Sequence, residues 1–123
     1  MIGKLYVSVF RYYDRAQKRE SLKRRPVLII GSADTSDYVV LPISKVTSKE
    51  HLHSFYDYNV GPKSHPNSNL NSESYIRTHK QTVMRKEELV MEISDFKALY
   101  PDDYREIIKR VGIFQESITA QIY

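Results

Sequence analysis

A small, strongly bent β-sheet or barrel closed by one C-terminal helix is the fold class that the sequence predicts, mainly β with α only at its end. Three observations carry it. Apolar residues alternate, or run in β-branched blocks, through the first three-quarters of the chain. From Pro101 onward the period changes to that of an amphipathic helix. The whole is 123 residues with 41% hydrophobic and 28% charged side chains, enough to bury one real core and too apolar for disorder. The chain 1–123 therefore reads as one domain, with no internal repeat and no linker.

Taken in order, residues 4–10 set Leu5, Val7 and Val9 on one side of a half-buried strand. Residues 11–24 are polar and basic, have no apolar face, and read as a long loop. Val27, Leu28, Ile29 and Ile30 form a buried strand expected to start at Pro26, since proline is tolerated at a first position or an edge. Residues 31–37 are turn chemistry, and residues 38–44 return as a second buried strand with Pro42 marking an edge or bulge. The two pair as an antiparallel hairpin. Residues 55–60 alternate again. The polar loop 61–74 is too long to be idle in a compact domain, so it is functional or mobile. Short strands follow at 74–78, 81–84 and 89–93. Pro101 suits a first helical position, and Asp102 and Asp103 suit the positive end of the helix dipole. Tyr104, Ile107, Ile108, Val111, Phe114 and Ile118 then make one apolar stripe. Gly112 costs that helix about 1 kcal/mol against alanine, which predicts a close packing neighbour there.

Composition excludes several classes. There is no cysteine, hence no disulfide framework, thiolate metal site or cysteine nucleophile, and a reducing, cytoplasmic compartment fits best. No apolar run approaches the ~20 residues of a membrane helix, and the N-terminus lacks a signal-peptide pattern. The glycines at 3, 31, 61 and 112 are scattered and make no phosphate loop. His51 and His53, two residues apart without carboxylate support, read as surface or strand residues more readily than as metal ligands. Charge is the informative term. The net is +4, yet residues 11–25 hold seven basic side chains against two acidic ones, so one segment carries the whole excess. Arg11, Arg15, Lys18, Arg19, Lys23 and Arg24, with Tyr12 and Tyr13 placed to stack bases, form a candidate surface for nucleic acid. A solvated, solubilising loop is the competing reading.

Polar residues at strand ends are the remaining candidates for chemistry. Arg25 precedes the buried strand, Ser44 ends its partner, and Arg77 and His79 share a side of an extended segment. Arginine, a hydroxyl and an imidazole on one rim can cleave RNA without a metal or other cofactor. The imidazole would move the 2′-OH or leaving-group proton, and arginine would stabilise charge on the phosphorane oxygens. Alternatively, Arg25 and Arg77 pair with carboxylates at the sheet edge and His79 is a solvated edge residue.

The stretch 22–30, Leu-Lys-Arg-Arg-Pro-Val-Leu-Ile-Ile, resembles the signature of the PemK/MazF family of toxins, in which a basic loop ends in Arg-Pro before an apolar strand. Residues 39–44 are similar to the family's next strand, which closes on Pro-x-Thr or Pro-x-Ser. Gly3 before an alternating strand, residues 74–89 and the terminal helix resemble the rest of the pattern in order, over roughly residues 3–118. The resemblance implies an SH3-like small barrel of the plasmid-maintenance-toxin type, homodimeric, neutralised by an acidic antitoxin. It implies a sequence-specific endoribonuclease (an mRNA interferase) that cuts single-stranded RNA without a metal, leaving 2′,3′-cyclic phosphate and 5′-hydroxyl ends. It places the family's arginine on Arg25, its strand-end hydroxyl on Ser44, and the Arg-x-Asp of some members on Arg77 and His79. Histidine thus stands where those members have aspartate, Lys4 stands in place of the opening aspartate, and the loop 61–74 is longer than the pattern. A non-catalytic barrel toxin or binding module, gyrase-poison-like, is the rival reading on the same fold. A nucleic-acid-binding repressor is weaker, because no helix–turn–helix spacing is visible.

Overall fold

The computed structural model describes residues 1–45 and 49–122. Within them a curled antiparallel sheet is built from β1 (Leu5–Asp14), β2 (Arg19–Ser32), β3 (Asp37–Ser44), β4 (Asp57–Val60), β5 (Ser74–Arg77), β6 (Thr82–Arg85) and β7 (Leu89–Ser94), followed by α1 (Phe96–Leu99) and α2 (Pro101–Ala120). The strands lie in the order β4-β5-β3-β2-β1-β7, and β6 pairs with β3. The fold class is the one the sequence predicts: mainly β, strongly bent, with a helix at the end. Among the described residues no helix is long and apolar enough to cross a membrane.

Two apolar clusters occupy the two faces of this sheet. Side chains alternate across a strand, so the cross-strand partners Leu5, Leu28 and Leu41 share one face. There they meet Ile43, Val60, Ile76 and the inner side of the helices, Phe96, Tyr104, Ile107 and Val111. Val27, Ile29 and Val40 point the other way, where the roll of the sheet brings Met84 of β6 and Leu89 of β7 onto them. The opening of the chain is tied in by Gly3. Its N–H donates to the Ile29 carbonyl at 2.7 Å and its carbonyl accepts from Lys97 at 2.8 Å. With φ at +89° and Lys97 pressed against the place of a Cβ, the position demands glycine.

The basic stretch departs from the expected loop. Residues 11–24 are mostly strand, the outer half of the β1–β2 hairpin, paired from Arg11↔Leu22 to Asp14↔Arg19. The turn at 15–18 is closed by Asp14, whose Oδ1 accepts from the N–H groups of Ala16 and Gln17, with Lys18 at φ 53°. An apolar face was the wrong thing to require. Both faces of this two-stranded arm are largely solvated, and cross-strand pairs hold it instead of burial.

Pro26 also departs from its expected place: it lies inside β2, opposite Val7, and does not start the strand. The expectation of a break was sound on the other side of the strand. The β2–β3 ladder ends at Val27↔Pro42, so Pro26 and Pro42, neither of which has an N–H to donate, flank the point where pairing stops. Beyond it β2 continues with β1 alone, while β3 changes partner to β5 through Ile43↔Ile76 and Ser44↔Tyr75. The sheet forks there.

On α2, Tyr104, Ile107 and Val111 are buried, whereas Ile108 and Ile118 are exposed in the single chain. Gly112, expected to mark a close contact, faces open space: nothing lies within 4 Å of a Cβ built there. Gly112→Ala is therefore expected to stabilise the protein by up to about 1 kcal/mol, read as a higher midpoint in urea unfolding.

Candidate functional site

Where the sheet forks, a cleft of about 770 Å³ opens. Continuing the β2–β3 register two residues past Val27↔Pro42 sets Arg25 across from Ser44, and both line the cleft. Its apolar walls include Val7, Ile43, Leu70, Met91 and Ile93. Its rim carries Arg24, Lys45, Asn71 and Ser72. Among the described residues neither the Arg25 guanidinium nor the Ser44 hydroxyl has a hydrogen-bond or ion-pair partner; Arg25 lies over the Phe10 ring, 5.8 Å from its centroid. The Arg25 carbonyl accepts from the Ser8 hydroxyl at 2.8 Å, which fixes the backbone behind it. A smaller groove of about 330 Å³, lined by Phe10, Pro42 and Met84 among others, lies on the other side of Arg25, so this one residue borders both.

Arg77 lies two residues beyond Tyr75, the β5 partner of Ser44, and so on the same face of the sheet. It is already engaged. Arg77 Nε donates to Asp57 Oδ1 at 3.0 Å and Nη2 to Oδ2 at 3.4 Å, and the Asp57 side chain is 1% exposed. His79 sits past the end of β5, in the excursion between β5 and β6, with Nδ1 3.8 Å from Asp57 Oδ1. The ring stacks on Tyr56 at 5.5 Å and packs near His53 and Phe114 of α2. Its Nδ1 is buried without a hydrogen bond. Neither Arg77 nor His79 lines the cleft that holds Arg25 and Ser44. Of the sheet-edge alternative, one half is seen: Arg77 pairs with a carboxylate and Arg25 does not. His53 has a backbone task, its Nδ1 accepting from the N–H groups of Phe55 and Tyr56.

The basic residues of the arm divide by parity. Arg11, Tyr13 and Arg24 project from one face, and Tyr12, Arg19, Lys23 and Arg25 from the other, with Arg15 and Lys18 in the turn. Lys23 Nζ lies 5.7 Å from the Tyr12 ring centroid, and the Arg25–Phe10 pair follows it on the same face toward the fork.

The sequence reading missed the cleft's second wall. Residues 69–72 belong to the long polar loop, and the loop is fastened at several points. The buried His65 joins Asp103 of α2 through Nε2 at 3.2 Å, with Tyr58 donating its hydroxyl to the same oxygen. Burial works against ionisation of Asp103, but the hydrogen bonds from Tyr58 and His65 outweigh it and hold the carboxyl below its ordinary range. Burial, then the carboxylate, push the Tyr58 hydroxyl well above the usual tyrosine range. Ser94 Oγ donates to the Ser68 carbonyl at 2.7 Å, and Asn69, at φ 62°, donates from Nδ2 to the Ile93 carbonyl at 3.1 Å. The loop's length is the one signal in the sequence, and it is what marks residues 61–74 above as functional or mobile.

This architecture is a small curled barrel of the MazF/PemK type. In particular, it is similar to the solved structure of the Mycobacterium tuberculosis toxin MazF-mt6, with a TM-score of 0.63 over 92% of this chain and 96% of that one, at 14% sequence identity. No protein-family model and no curated protein matches the sequence.

Burial lowers the pKa of His79, and Arg77, Lys80 and His53 add to this against the opposing pull of Asp57. The folded state then holds this imidazole neutral at pH values where the unfolded chain protonates it, so stability falls as pH drops below about 6.5. The melting temperature should decline from pH 7 to 5.5. The decline should be shallower in His79→Gln; an identical decline in both proteins would show that His79 is not its source.

Proposed function

We propose that this protein is a toxin-type endoribonuclease, acting on single-stranded RNA in the cleft at the fork. A likeness of fold does not by itself assign an activity. The observation that carries the reading is the placement on that cleft of an arginine and a hydroxyl that, among the described residues, have no hydrogen-bond or ion-pair partner, at the end of a basic arm. The Arg-Pro and Pro-x-Ser resemblance falls on the same two positions.

In this reading the arm gathers the phosphate backbone and Arg25 and Ser44 meet the scissile phosphate. The 2′-oxygen attacks phosphorus, its proton passing to solvent water, while the bond to the 5′-oxygen breaks and that oxygen takes up a proton from water to leave as a hydroxyl. Charge building on the non-bridging oxygens is stabilised by the Arg25 guanidinium and by a hydrogen bond from Ser44. The products are a 2′,3′-cyclic phosphate and a 5′-hydroxyl, and no step requires a metal. Arg77 and His79, drawn to Asp57, act on this account as scaffold behind Ser44, holding β4, β5 and α2 in place. The protein would be cytoplasmic and act as a homodimer, with Ile108 and Ile118 of α2 and the exposed strand β7 available to a second copy. An acidic antitoxin would compete for the basic arm.

Incubation with a long RNA in EDTA, followed by end mapping, tests the activity. Cuts with cyclic phosphate ends are expected. Arg25→Ala should lower single-turnover cleavage by about 10²-fold or more while the protein stays folded. Full activity in that variant would remove Arg25 from the mechanism. Arg77→Ala is the poorer probe, because stranding the buried Asp57 destabilises the fold by itself.

Binding to a non-cleavable single strand should weaken with salt at about −0.7 in slope per neutralised phosphate. Changing Lys18 and Arg19 together to alanine should reduce that slope by about 1.4 if both contact phosphates. An unchanged slope in fluorescence anisotropy would make the tip of the arm a solubility feature.

A further inference from the structure

Beyond the phosphate contacts, we infer that the cleft is a base-reading site: one unstacked nucleobase of the RNA enters it, and Asn71, seconded by Ser72, reads its edge. The inference rests on the proposed RNA-cleaving function and assigns the part of the site that would choose the cut sequence.

Four features support it. The cleft, at about 770 Å³, lies within the range of small-ligand sites and exceeds what one phosphate needs. Val7, Ile43, Met91 and Ile93 from three strands give it an apolar lining that suits the flat faces of a base, and Glu92, which also lines it, is already held by Lys4 at 2.8 Å. The cations that line it are Arg24, Arg25 and Lys45, to which the attached phosphates would run. The fourth feature is the loop wall. Its backbone is fixed on either side by the Ser94–Ser68 and Asn69–Ile93 bonds and by Ser74 Oγ, which donates to the Ser72 carbonyl at 3.0 Å. Between these anchors, among the described residues, the Asn71 amide and the Ser72 hydroxyl make no hydrogen bond within the chain. A rigid wall holding an unspent amide beside an apolar slot is what edge recognition of an unstacked base requires, since the amide offers both a donor and an acceptor.

The geometry also separates the two tasks. Phosphate contacts position a strand without carrying sequence information, whereas contacts to base edges specify it. Arg25 therefore belongs to rate and Asn71 to choice. Asn71 is exposed and, among the described residues, its side chain makes no hydrogen bond, so its replacement leaves the packing of the loop intact.

Two measurements on the full-length protein test this. In the first, cut sites on a long RNA are sequenced for the wild type, Asn71→Ala, Asn71→Asp and Arg25→Ala. In the second, anisotropy measures binding to short oligonucleotides made non-cleavable by 2′-deoxy substitution at the scissile position, with each of the four bases placed in turn at the neighbouring positions. Wild type should prefer one base at one position by about tenfold. Asn71→Ala should flatten that preference. Asn71→Asp, which keeps the acceptors and loses the donor, should move it to another base, and Arg25→Ala should depress cleavage of every sequence alike. An unchanged cut-site profile and base preference in both Asn71 variants overturns the inference and leaves the nuclease standing, as would be found if the cleft seats an acidic peptide. Base-selective binding that depends on Asn71 without any cleavage overturns the nuclease and leaves the base site. A wild type that neither binds nor cuts RNA overturns both.

Discussion

The loss of two N–H groups shapes this molecule more than any single contact. Pro42 on β3 sits in the last pair between those strands, opposite Val27, and Pro26 is the next residue of β2; neither has an N–H to donate. A sheet that would otherwise close continuously is divided at that point. One half runs on as the β1–β2 arm, the other turns toward β5, and the space between them is the cleft. Arg25 and Ser44 derive their positions from being the second residues along after the ladder stops.

A fork is useful only if its far wall stays in place. That wall is irregular polar chain, and it is secured by groups buried for the purpose. His65, Tyr58 and Asp103 bind the loop to the first turn of α2, and Ser68 and Asn69 bind it to β7. The Asp57–Arg77 pair does the same for β4 and β5 on the side of Ser44. Such buried polar groups cost desolvation and add little net stability, but each has few alternative partners, so they fix one arrangement. The resulting rigidity lies in a segment whose composition reads as flexible.

The legible parts of the sequence were those where one physical signal acts alone. The apolar blocks on β2 and β3 report burial on both faces and the helical stripe through Tyr104, Ile107 and Val111 burial on one, as the structure shows; of the alternating Leu5, Val7 and Val9 only Leu5 is fully buried, and Ser8 is buried on the opposite face. The arm was not legible because its strands are not organised by burial; a charge-rich hairpin held by cross-strand pairs has the composition of a loop. The cleft's second wall was illegible for a related reason. Asn69, Asn71 and Ser72 come close to Arg25 only through the fastening of His65 and Ser94, contacts between residues about 26 to 38 positions apart that no local pattern encodes. For Arg77 and His79 the alternation reports a shared side but not the buried carboxylate of Asp57 on β4 that both approach.

The two-faced arm has a consequence for how such a protein can change over time. Its side chains are sorted by odd and even position, so length is a discrete variable. Adding or removing two residues per strand at the turn shortens or extends the reach of both faces and preserves their composition. A single-residue insertion between the turn and Lys23 exchanges the faces for everything outside it, sending Arg19 to the side of Arg11 and Arg24. Divergence in this segment should therefore proceed in even steps, or with a compensating bulge.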